Sequence, residues 1–189
     1  MANGSAKPDL AVLQIKVTLR ESKPPIWRRI QVTNNITLYK LHQVLQVVMG
    51  WQNAHLHQFV INGTYYGQPH PDYGFEVRSE RGAKLSQVAA HEKFKFLYEY
   101  DFGDSWQHEI LIEKVLPLNP EVRYPICLKG KRACPPEDCG GIWGYEDLLE
   151  ILRDPNHSNY EEMLEWIGGE FDPEAFDRDE VNRQLNRLR

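Results

Sequence analysis

Tyr98-Glu-Tyr-Asp-Phe-Gly-Asp-Ser-Trp-Gln-His-Glu-Ile110 is the stretch on which the fold turns. Its first half continues an alternation that puts Phe94, Phe96, Tyr98 and Tyr100 on one face. Its second half puts Trp106, His108, Ile110 and Ile112 on one face. An apolar residue at every second position marks a half-buried strand. Phe94 to Asp101 and Trp106 to Leu116 are therefore predicted to form a hairpin. Matching the apolar faces requires an odd loop, with Tyr100 opposite Trp106 and Tyr98 opposite His108. An even loop would set Glu99 against His108 and split the aromatic face. The odd loop leaves Asp101 and Asp104 at the turn.

Upstream of the hairpin, Leu13, Ile15, Val17 and Leu19 alternate with polar residues and predict a strand. Glu21-Ser-Lys-Pro-Pro25 breaks it, and Ile26 to Val32 reads as an antiparallel return. Leu38, Leu41, Val44, Leu45 and Val48 have helical spacing, with Thr37 as cap and Gly50 as stop. His55 to Asn62 is the next predicted strand, with His55, His57, Phe59 and Ile61 on one face. Residues 63–92 read as a loop-rich excursion with a short helix near Leu85 to Ala90.

Downstream, Pro117 to Gly141 is rich in Pro, Gly and Cys, and the chain then turns helical. Tyr145, Leu148, Leu149 and Leu152 form one stripe, ended by Asp154-Pro155. Ser158-Asn-Tyr-Glu161 has the capping-box pattern before Met163, Leu164 and Ile167. A last helix starts at Asp172-Pro173 or at Asp177. Strands first and helices last predict an α+β fold: an antiparallel sheet, one helix inserted after the second strand, and a C-terminal cluster of helices. Residues 1–9 are expected to be a disordered polar tail and 10–189 a single domain.

Four segments resemble one family. They are His55-Leu-His57-x-Phe59, the Tyr98 to Ile110 stretch, Cys134-Pro-Pro-Glu-Asp138-x-Gly-Gly141-x-x-Gly-Tyr145, and Phe171-Asp172 with Asn182 and Leu185. Together they are similar to the plasmid pRiA4b open-reading-frame-three-like family, also labelled TnpR-like. The resemblance runs from about Leu13 to near the C-terminus. It implies a domain found in plasmids, mobile elements and many prokaryotic genomes, and it brings no catalytic assignment. The resolvase label has no counterpart in these residues: Ser5 lies in the expected disordered tail, Ser22 in a Pro-rich turn, and no Arg, His, Arg and Tyr set of a tyrosine recombinase is seen. Asp-Phe-Gly is also a kinase motif, but no Gly-rich loop or His-Arg-Asp loop accompanies it.

Composition narrows the function classes. The 189 residues are 41% hydrophobic and carry a formal charge of −5, enough apolar material for one core without cross-links. An acidic balance argues against a nucleic-acid partner, since phosphate binding needs a basic face. Arg28 with Arg29, and Arg183, Arg187 and Arg189, are the basic clusters, and each reads as a solvated face. No signal-peptide pattern or membrane-length apolar run is seen, and an odd count of three cysteines fits reduced thiols, so a cytoplasmic protein is expected.

Candidate chemistry lies in three groups. His55 and His57, on one face of a strand and about 7 Å apart, suit two ligands of one metal ion. Asp101, Asp104 and His108, with Trp106 beside them, could bind a divalent cation or act as acid and base. The plain alternatives are a core histidine beside Phe59 and turn aspartates that satisfy backbone N–H groups. Cys127, Cys134 and Cys139 lack paired Cys-x2-Cys knuckles, yet could close a metal site with a histidine, or be ordinary thiols. Glu137 and Asp138 form an acidic rim on the Pro-Pro loop, and Trp51 and Trp143 beside glycines suit a protein or peptide partner. Three readings follow: a non-enzymatic binding module associated with mobile elements, a metal-dependent enzyme of hydrolase type using the His and Asp groups, or a nucleic-acid-binding accessory protein. The cofactor implied by the second is a divalent metal.

Overall fold

The computed structural model describes residues 10–69, 74, 76–89 and 91–188; the predicted N-terminal tail, Ala90 and Arg189 lie outside them. Eight strands form one sheet: β1 (Ala11–Leu19), β2 (Trp27–Thr33), β3 (His57–Ile61), β4 (Thr64–Gly67), β5 (Val77–Ser79), β6 (Lys95–Tyr100), β7 (Trp106–Pro117) and β8 (Ile126–Lys131), in the order β5-β4-β3-β6-β7-β1-β2-β8. Neighbours are antiparallel except β4 and β5, which are parallel. The predicted hairpin therefore lies in the middle of the sheet, with β6 paired to β3 and β7 paired to β1. Its register is the odd-loop one: Tyr98 faces His108 and Tyr100 faces Trp106.

That register builds continuous cross-strand rows. Phe59, Tyr98, His108 and Leu19 are successive partners across four strands, and all are buried. The next row joins His57, Tyr100 and Trp106. A third runs from Phe96 through Ile110 and Val17 to Arg28. The buried face of these rows meets α1 (Leu38–Met49), which inserts between β2 and β3. Thr37 Oγ1 accepts the Lys40 N–H, and Gly50, at φ 91°, ends the helix in the left-handed conformation that glycine adopts without a Cβ penalty. Leu38, Leu41, Val44, Leu45 and Val48 bury the expected stripe, each large side chain gaining roughly 1.5–3 kcal/mol from burial.

Several boundaries differ from the sequence expectation. His55 precedes β3, because its main chain is held by Tyr100 instead of a neighbouring strand. β4, β5 and β8 lie in segments that read as loops; they are short or interrupted by glycine, so no alternation develops. The short helix is α2 (Leu85–Val88). After α3 (Gly141–Arg153), α4 (Tyr160–Trp166) has Asn159 at its N-cap, one residue past the expected cap. Ser158 Oγ bonds the Asn159 side chain, and no capping box forms there. The last helix, α5 (Arg178–Arg187), starts at Asp177, whose carboxylate accepts the Asp179 and Glu180 N–H groups. Asn182 projects from α5 onto the outer side of β8, accepting the Cys127 N–H at 2.8 Å and donating to the Cys127 carbonyl at 2.9 Å. No helix among the described residues is long and apolar enough to cross a membrane.

Leu185 is the fully buried anchor of α5. Leu185→Ala is expected to lower unfolding stability by about 2–4 kcal/mol, read from urea midpoints, because it leaves a cavity beneath the helix.

Candidate functional site

The site begins with Tyr100, the last residue of β6. Its hydroxyl accepts the N–H groups of Ala54 at 3.0 Å and His55 at 3.3 Å, and donates to Glu137 Oε1 at 2.6 Å. Glu137 also accepts the Gln52 N–H at 3.1 Å. Trp51 stacks on Tyr100, with ring centroids 5.0 Å apart, and donates its indole N–H to the Pro135 carbonyl. One side chain of the central hairpin thus fastens the 51–56 segment to the Pro-Pro-Glu-Asp loop. Burial, with the Glu137 carboxylate adding to it, pushes the Tyr100 hydroxyl above its ordinary range, so it stays a donor at neutral pH.

This fastening brings His55, Asp101 and Asp138 together. Their donor atoms lie within 4.8 Å of one another, the one such group of three among the described residues. His55 Nδ1 is 3.6 Å from Asp101 Oδ2, and His55 Nε2 is 3.2 Å from Asp138 Oδ1. The second approach is not a hydrogen bond, since Nε2 is buried and lacks a partner. Asp101 and Asp138 both hold left-handed backbone, at φ 58° and 59°, as do Asn53 and Ser105 beside them. Such conformations in non-glycine residues cost energy and collect where side chains must be aimed. An imidazole and two carboxylates suit zinc or manganese, and three protein donors leave coordination positions open.

Asp101 also organises the hairpin turn: Oδ1 accepts the Gly103 N–H at 2.9 Å, while its own N–H bonds the Leu56 carbonyl. Asp104 faces the other way and accepts the Gly140 N–H at 3.2 Å, at the start of α3. A carboxylate there offsets the positive helix end. Gly141, at φ 69°, lets the turn come this close; a Cβ on it would sit 2.6 Å from the Asp104 carbonyl oxygen.

His57 is not brought to this point. Its ring stacks flat on His42 with 3.4 Å between centroids, and Nε2 bonds Glu80 at 2.8 Å. His42 in turn bonds the Tyr98 hydroxyl and Asn53, and Gln46 also donates to Tyr98. Burial, then the neighbouring His57, pushes His42 down to about 3. His55, His57, His42 and Glu80 line one cavity of about 300 Å³. His42 and Glu80 were not singled out by sequence; no pattern marks a helical histidine or a loop glutamate as inward-facing.

His108 is also elsewhere: fully buried in the sheet, 3.3 Å from the Tyr98 carbonyl, and pushed down to about 4 by burial. Trp106 is buried beside it. The cysteines form no donor group with the histidines or aspartates among the described residues. Burial raises Cys127 to about 11, and Cys134 and Cys139 to about 12, so all three are neutral thiols. Arg29 pairs with Glu113 at 2.6 Å, whereas Arg28 is 2% exposed, contrary to the solvated face expected of it. It lines a second groove of about 710 Å³ with Trp51, Glu137 and Asp138.

Tyr100→Phe would strand two N–H groups and the Glu137 carboxylate. A stability loss of about 1–3 kcal/mol is expected in urea unfolding. The buried histidines couple stability to pH. Unfolded chains take up protons on them below about 6.5, while the native sites resist until about 4 for His108 and about 3 for His42. Stability should therefore fall as pH drops from about 6.5 and level off near those lower values. His108→Gln should flatten that slope between pH 6.5 and 4 in unfolding midpoints; an unchanged slope would contradict the assignment.

The family described as plasmid pRiA4b ORF-3-like protein matches residues 11–180. The uncharacterized protein y4hQ of Sinorhizobium fredii is 38% identical over 180 residues, covering 94% of this chain and 92% of y4hQ. The crystal structure of the protein of unknown function MM3350 from Methanosarcina mazei Go1 superposes with a TM-score of 0.82 at 43% identity, covering 91% of this chain and 97% of that one. These matches run through the hairpin, the Tyr100 knot and the Pro-Pro-Glu-Asp loop, and the chain belongs to the plasmid pRiA4b ORF-3-like family.

Proposed function

We propose that this protein is a ligand-binding module built round a divalent transition-metal ion held by His55, Asp101 and Asp138. The convergence of these donors within 4.8 Å carries the reading. His55 Nε2, buried without a hydrogen bond 3.2 Å from Asp138, and the left-handed backbone at Asp101 and Asp138 support it. His55, Asp101 and Asp138 would hold the ion, which would supply a Lewis-acidic anchor for a donor atom of the ligand.

A second reading, metal-assisted hydrolysis, is favoured by one observation: His57, oriented by Glu80, lines the same cavity as His55. A carboxylate-held imidazole in the cavity that His55 lines is suited to move a proton. Loss of metal-dependent ester or phosphoester turnover in Glu80→Gln, with metal affinity retained, would separate that reading from simple binding.

The primary test is calorimetric titration of chelator-treated protein with zinc and manganese. One ion per chain is expected. Asp138→Asn should weaken binding at least about tenfold without unfolding the chain, since this side chain is 70% exposed. His55→Ala should do the same. Affinity unchanged in both variants, or no binding by the native protein, overturns the proposal.

A further inference from the structure

Arg28 is unusual among the charged side chains. It lies on the buried face of β2, opposite Gly130 of β8, and is 2% exposed. Its Nε donates to the Val48 carbonyl at 2.7 Å; Nη1 donates to the carbonyls of Trp27 and Lys131. The Phe176 ring covers the guanidinium at 4.3 Å, and Gly130 makes room for it, since a Cβ there would meet the Arg28 stem at 2.8 Å. Nη2 has no hydrogen-bond partner among the described residues and is not sealed off as a buried unsatisfied atom. Arg28 lines the groove of about 710 Å³, the open space next to this side chain.

No carboxylate among the described residues forms an ion pair with Arg28. Its electrostatic neighbours are Cys134 and Cys127, whose thiols are neutral, and burial itself disfavours the guanidinium charge. The Val48 carbonyl, near the negative end of α1, explains where the side chain lies and offsets only part of a unit charge. A buried cation with one free Nη2 amino group, lining a groove, calls for an anion.

The rest of the groove sets what that anion is attached to. Trp51, Trp166, Ile167 and Phe171 give it apolar walls, while Glu137 and Asp138 give it an acidic rim. The rim disfavours a dianion more than a monoanion, and the two N–H groups of one nitrogen do not make a phosphate clamp. The volume is that of a small-molecule site. We propose that this groove binds a small monocarboxylate with an apolar body, its carboxylate on Arg28 Nη2 and its body between Trp51 and Trp166. This site goes beyond the metal centre and does not require it.

The test uses the full chain in excess EDTA, so that its failure leaves the metal centre untouched, and failure of the metal titration leaves this site untouched. Octanoate, its neutral isostere octanamide, and octyl phosphate are titrated while tryptophan fluorescence is followed, with calorimetry for affinity. Octanoate is expected to bind at least about tenfold more tightly than octanamide, as a charge-assisted bond requires. Gln184→Trp, which adds bulk to the groove from α5 and leaves Arg28 in the sequence, should weaken octanoate at least about tenfold. Arg28→Gln should bring octanoate down to octanamide; because Arg28 also holds the Val48 carbonyl, the native-protein ligand series stands without that variant. Equal affinity for octanoate and octanamide overturns the proposal. So do tighter binding of octyl phosphate, undiminished octanoate binding in Gln184→Trp, and absence of octanoate binding.

Discussion

The pairing of β6 with β7 is the constraint on which the rest depends. A side-chain repeat of two means that a slip of one residue would put Tyr98 and Tyr100 on the face opposite Trp106 and His108. The hairpin sits between β3 and β1, so the same slip would disrupt the rows that cross the whole sheet. Aromatic bulk on one face and Glu99 and Gln107 on the other oppose it. The turn reinforces the choice, with Asp101 and Ser105 both in left-handed conformations and joined by a main-chain bond.

From that register follows the geometry at the sheet's end. Tyr100 has one hydroxyl and spends it on three groups from two separate segments. The 51–56 stretch and the Pro-Pro-Glu-Asp loop have no regular secondary structure of their own, so this hydroxyl and the Trp51 stack do what a strand ladder does elsewhere. The neighbouring His42, His57, Glu80 and Tyr98 network is likewise satisfied internally, which is what makes so polar a group tolerable beneath the surface.

Much of the fold was legible because it rests on periodicity. The hairpin register, β1, β2 and α1 all follow from alternation or helical spacing over enough residues to be distinctive. β4, β5 and β8 escape the same test because each is short or carries glycine where a side chain would mark the face. The candidate site was half legible. His55, Asp101 and Asp138 each stood out as residue types, but they belong to three segments, and only the folding of the Pro-Pro-Glu-Asp loop onto Tyr100 joins them. His55 lies before β3 and the His57 ring packs on His42, so the two share a cavity without the strand spacing expected of them. Arg28 and Glu80 were invisible for a different reason: a charged residue reads as exposed until its carbonyl or imidazole partner is known.

Asn182 has a consequence for how copies of this chain behave in company. An outermost strand normally offers its free amide and carbonyl groups as a template for another chain. At β8 a side-chain amide from α5 occupies that position, presenting a donor and an acceptor to Cys127 much as a ninth strand's main chain would. The helix therefore acts as a plug against polymerisation at that border. A protein loosened at its C-terminal helix would expose not only apolar surface but an adhesive edge, and would be lost to aggregation before it was lost to unfolding.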